Sequence, residues 1–128
     1  MSQFEVAELF ASYLAISITF FMGFVSTTSA MLVAVYFAKD SIPPKLAAVI
    51  ISIYLISSLF LIGGYQRTSE VMIALRVQMK AIAPWHTAVS EADWVLSTLT
   101  SIGTATMLII ATVAIWYFQY SRSARDAD

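Results

Sequence analysis

Three long apolar stretches without a single charged side chain run through this chain at residues 9–38, 46–65 and 94–120. A hydrocarbon layer about 30 Å thick is crossed by about 20 helical residues, so each stretch is long enough to span it. Every Asp, Glu, Lys and Arg lies outside them. The chain is therefore expected to be an all-α integral membrane protein: one domain, residues 1–128, with three transmembrane helices.

Composition agrees. The hydrophobic fraction is 59% and the charged fraction 12%, where a soluble domain carries about 25% charge. A small soluble fold leaves too much of its area exposed to hide this much apolar surface. Net charge is −1, which gives no basic field to draw nucleic acid. The absence of cysteine excludes disulfides, thiolate metal sites and Cys nucleophiles.

The first stretch does not fit a cleavable signal. Such a segment has a basic start and an apolar core of about 7–15 residues, whereas this one follows Glu5 and Glu8 and is twice as long. A retained helix that tilts or protrudes is expected. Pro43 and Pro44 break the chain between the first two stretches, because proline is tolerated in a first turn but not in a helix interior. The short connector makes helices one and two antiparallel neighbours. Pro84 closes the following segment, and Ser90-Glu91-Ala92-Asp93 has the form of a capping box opening the third helix.

Residues 66–83 are amphipathic. At 100° per residue Val71, Met72, Leu75, Met79 and Ile82 share a stripe, with Ser69, Arg76 and Lys80 largely opposite. Three readings follow. Helix two continues beyond the membrane and packs on the protruding end of helix one; the segment lies among lipid headgroups with Arg76 and Lys80 toward phosphates; or Met72, Leu75, Arg76, Met79 and Lys80 meet a partner protein. Gly63-Gly64 offers a place to bend.

Small residues recur every four positions at Ala11, Ala15, Thr19, Gly23 and Thr27, and again at Ser97, Ser101 and Ala105. A second row runs through Ser26, Ala30, Ala34 and Ala38. In lipid such rows let helix backbones approach closely. They serve packing within one three-helix unit or self-association. Hydroxyls gather at residues 26–29 and at Thr98, Thr100, Ser101, Thr104 and Thr106. These bond carbonyls one turn back, or line a hydrated path.

No Asp, Glu, Lys, Arg or His lies in a span, so no intramembrane proton relay or voltage sensor is expected. His86, the sole histidine, excludes paired-histidine metal or haem ligation within one chain. No cofactor, metal site or catalytic set is expected, and the chain reads as non-enzymatic. Lys39 and Lys45 in the first connector, with Arg122 and Arg125 after the third span, place the N-terminus outside and the C-terminus in the cytoplasm. The second connector carries Arg67, Arg76 and Lys80, so this margin is four basic residues to three. Tyr36, Phe37, Trp116, Tyr117 and Tyr120 then fall at one interface, and Trp85 and Trp94 at the other.

The expected role is a small bacterial inner-membrane subunit, structural or accessory, that assembles with itself or a larger complex. The alternative is a homo-oligomeric pore or small-solute channel lined by Ser and Thr. A third option is a lipid-facing anchor that uses residues 66–83.

Overall fold

The computed structural model describes the backbone of residues 2–38, 41–82 and 87–126, and the side chains of residues 2–38, 41–81 and 94–124. Among the described residues the chain forms three α-helices: α1 (Gln3–Ala38), α2 (Pro44–Ile82) and α3 (Thr87–Asp126). Each is long and apolar enough to cross a membrane. The protein is thus an all-α three-helix membrane protein.

Helix ends follow local chemistry. Ser2 and Glu5 form a reciprocal cap: the Ser2 backbone N–H donates to Glu5 Oε2 at 2.7 Å, and the Glu5 N–H donates to Ser2 Oγ at 3.3 Å. This S-x-x-E signal starts α1 six residues before its uncharged stretch. Pro44 opens α2, and the Pro43 carbonyl accepts the Ala47 N–H at 3.0 Å. α3 begins at Thr87 rather than at Ser90, so Ser90 lies inside the helix. Ala88, Glu91 and Ala92 are good helix formers and carry the helix back past the expected cap. Pro84, Trp85 and His86 lie outside the described residues.

α2 runs unbroken through Gly63 and Gly64, and no described glycine has a positive φ. The expected extension of helix two is therefore a direct continuation. Its 39 residues reach about 58 Å, close to twice the hydrocarbon thickness.

The inward faces share one rhythm. On α2 the buried and half-buried positions include the series Ala47, Ile51, Tyr54, Ser58, Leu61, Tyr65, Thr68, Met72, Leu75 and Met79. Their steps alternate four and three, a mean of about 3.5, which keeps a single seam turned to the neighbours as in coiled coils. On α1 the same rhythm runs from Val6 through Ser17, Phe24 and Met31 to Val35; on α3 it includes Thr100, Gly103, Met107, Ala114 and Phe118. The seam of α2 passes from the membrane half into the amphipathic half without a break. Ser69 belongs to this buried side, not the opposite one, at 1% exposure. Its hydroxyl donates to the Tyr65 carbonyl at 2.9 Å, so burial leaves no unpaired donor.

Register is set by side chains entering glycine notches. Phe20 of α1 lies against Gly64, where an added Cβ would come within 2.6 Å of its ring. Tyr65, the next residue of α2, points the other way: a Cβ on Gly103 of α3 would sit 2.5 Å from its hydroxyl oxygen. Leu61 packs on Gly23. Phe20 also meets Phe60 edge-on, and Phe21 meets Tyr65, each pair with centroids 6.3 Å apart. As the α1 partner moves from Thr28 to Phe20, the α2 partner moves from Tyr54 to Gly64, which defines antiparallel packing. α1 and α3 run parallel. α1 packs most extensively on α2, α3 less so, and α1 and α3 touch least.

Gly64→Ala is expected to lower the unfolding free energy by about 1–3 kcal/mol, the cost of overpacking. Gly63→Ala, with nothing within 4 Å of the added methyl, should gain up to about 1 kcal/mol from helix propensity. Denaturant titration in mixed micelles, followed by circular dichroism, checks both.

Candidate functional site

Side chains able to do chemistry are few, and the structure disperses them. Among the described residues no group of three His, Cys, Asp or Glu side chains converges as a metal site would require. The exposed Arg67 and Glu70 form an ion pair at 3.3 Å. Glu91 and Asp93 lie outside the described side chains.

The two hydroxyl clusters sit at different depths. Thr28 of α1 lines a cleft with Ile109, Ile110 and Ala114 of α3, while Leu14, Ser17 and Ile18 line another with Leu96, Leu99 and Thr100. Residues 26–29 are therefore level with about residues 110–113, roughly 10 residues from the centre of the α3 cluster, or about 15 Å. Several hydroxyls turn to their own helix. Thr19, Thr27, Ser52, Thr68, Thr100, Ser101 and Thr112 each donate to the carbonyl four residues back at 2.6–3.0 Å. Thr28 Oγ1 and Tyr54 Oη differ: they share an interhelical hydrogen bond of 2.9 Å in a buried setting.

The small-residue rows divide between inside and outside. Gly23 and Thr27 face α2, with Thr27 lining a cleft beside Ile50, Ile53 and Tyr54. Ala11, Ala15 and Thr19 are exposed, and so are Ser97, Ser101 and Ala105. The reason is geometric. A step of four residues advances about 400°, so a row drifts about 40° per step and winds off any one face of a straight helix. The side of α3 turned to α2 is the neighbouring set Thr100, Gly103, Thr104 and Met107, one position round from the expected row.

The amphipathic segment spends its apolar side inside the chain. Met72 and Leu75 are buried, and Arg76, Met79 and Lys80 are half-buried. Ser69 and Met72 form part of the floor of the Leu14–Thr100 cleft. Of the residues expected to meet lipid or a partner, none is fully exposed.

What remains open is the seam between the parallel helices α1 and α3. It holds two clefts, one above the other. The upper, of about 430 Å³, is bounded by Leu32, Ile109, Val113, Trp116 and Tyr117; the lower, of about 310 Å³, lies among Leu14, Ile18, Leu96 and Leu99. Both are almost wholly apolar. At the upper end the rings gather as expected: Tyr36 meets Phe37 edge-on and Trp116 stacks on Tyr120, each pair with centroids 5.4 Å apart. The fold and this seam define a small integral membrane protein without a visible reaction centre among its described residues. No protein-family model, curated protein or solved structure matches the chain.

Thr28→Val and Tyr54→Phe should each cost about 0.6–1.7 kcal/mol, the range for interhelical hydrogen bonds in lipid, and the double variant should cost little more than either. Ser58→Ala should be neutral or stabilising, because Ser58 Oγ is buried and makes no hydrogen bond. Unfolding in mixed micelles tests the contrast in sign.

Proposed function

We propose that this protein is a non-enzymatic assembly subunit of a bacterial inner membrane, working through helix–helix contact. The observation that carries this reading is the open α1–α3 seam, a groove with apolar walls that the chain does not fill itself. Ala11, Ala15, Ser97 and Ser101 are exposed elsewhere on α1 and α3, and small outward residues of this kind permit close backbone approach.

A pore lined by Ser and Thr has less support. The two hydroxyl clusters lie at separate depths, and the hydroxyls of Thr100 and Ser101 are engaged by their own backbone. We take the orientation to be N-terminus outside and C-terminus cytoplasmic. Lys45 and Arg122 lie at the same end of the bundle as the aromatic belt, which supports this placement.

The particle purified in mild detergent is expected to have a mass above that of one chain, and vesicles containing it should hold a small-solute gradient as well as empty ones do. A monodisperse single chain would overturn the assembly reading. Solute flux abolished by Ser101→Leu would favour the pore in its place.

A further inference from the structure

The three helices are not held alike. α1 and α2 are joined by Phe20 in the Gly64 notch, Leu61 on Gly23, the Thr28–Tyr54 hydrogen bond and two ring contacts, Phe20–Phe60 and Phe21–Tyr65. α3 has less. It packs on α2 less extensively than α1 does, and it touches α1 least. Thr100, Ser101 and Thr112 bond to the α3 backbone, and among the described residues no α3 side chain hydrogen-bonds to α1 or α2.

The interface that α3 does make is imperfect. Ser58 stands on the α2 seam and is 2% exposed, and Thr104 lies on the α3 face turned to α2. The hydroxyl oxygens of both are buried without a hydrogen-bond partner. An unpaired buried hydroxyl raises the energy of the arrangement that buries it, which narrows its advantage over neighbouring arrangements. The upper cleft adds no restraint. Its walls are apolar, and lipid tails are as apolar as leucine, so opening or closing it carries little hydrophobic cost.

One close contact remains as a fulcrum. The Tyr65 hydroxyl oxygen lies so near α3 that a Cβ on Gly103 would come within 2.5 Å of it. Along α3, Gly103 stands between the two clefts: Leu96, Leu99 and Thr100 line the lower one, and Ile109, Val113 and Tyr117 the upper. The lower wall is centred about 8 Å below Gly103 and the upper about 15 Å above it. Turning α3 by about 10° at that point moves the upper wall by about 2–3 Å and the lower by about 1 Å in the opposite sense.

We propose that α3 is a rocker. It pivots at the Tyr65–Gly103 contact against a fixed α1–α2 hairpin, so that the upper cleft closes on α1 as the lower one opens, and the reverse. This is a rigid-body motion of a kind that packed helices make between discrete arrangements. It takes place within one chain, so it does not depend on the assembly reading. Its consequence is a coupling between the two ends of the seam: bulk that keeps the upper cleft open narrows the lower.

The chain has no cysteine, so pairs of introduced cysteines can carry nitroxide labels in the full-length protein. Three pairs of exposed positions serve: Val33→Cys with Val49→Cys across α1–α2, Val33→Cys with Gln119→Cys across the upper seam, and Ala11→Cys with Val95→Cys across the lower. Labelled chains diluted with unlabelled ones in phosphatidylcholine vesicles report distances within one chain by double electron–electron resonance. The α1–α2 pair is expected to give one narrow distance, and both α1–α3 pairs wider distributions. Val113→Trp places bulk in the upper cleft, and Val113 is 55% exposed, so the fold tolerates it. This change should lengthen the Val33–Gln119 distance by about 2–3 Å and shorten the Ala11–Val95 distance. Equal widths for the three pairs would overturn the rocker. So would two seam distances that lengthen together, or that stay as they were, in the Val113→Trp protein.

Discussion

Lipid gives apolar helices no hydrophobic reason to leave it for one another, so everything lateral in this bundle depends on close contact. The contacts that set the arrangement are at Gly64 and Tyr65. One residue of α2 is a notch for Phe20, and the next is a knob for the notch at Gly103. Two adjacent residues thereby tie α2 to both neighbours at one level. The positions of α1 and α3 relative to each other follow from α2, which explains why the two parallel helices lie side by side with a seam between them left open.

That clasp sits near the level where the outer face of α2 changes from apolar to charged. Above it, hydrocarbon surrounds the bundle, and the Thr28–Tyr54 hydrogen bond adds a directional link. Below it, the outward face of α2 carries Arg67 and Glu70, while Met72 and Leu75 are buried against the rest of the bundle. One continuous seam with a 3.5-residue rhythm serves both environments, because knobs-in-notches geometry does not depend on the solvent.

Much of the fold was legible in the residues. Uncharged length gave three spans, Pro43-Pro44 gave the turn and the start of α2, and the amphipathic run after Gly64 gave its extension. The S-x-x-E pattern at Ser2–Glu5 was an equally readable start signal, and it lies ahead of the apolar stretch that draws attention first. The S-x-x-D pattern at Ser90 misled because the same letters fit a helix interior. The proposed assembly surface was only half legible. The small-residue rows at Ala11–Thr27 and Ser97–Ala105 are present, but spacing by four could not say which members turn inward. The 3.5-residue rhythm could have said so, and it is masked wherever Leu, Ile, Val and Phe fill inward and outward positions alike.

The sequence by itself determined that this is a three-helix membrane protein, where each helix turns or ends within a few residues, and that its spans hold no Asp, Glu, Lys, Arg or His. Those properties depend on the transfer of each segment from water to lipid and on local capping, which are additive along the chain. Only the tertiary structure decided the register, the inward face of each helix, the burial of Ser69 and the open α1–α3 seam. The physical reason is that lipid and protein interior are equally apolar. Hydropathy therefore marks a residue as inside the membrane and carries no information about which neighbour it touches.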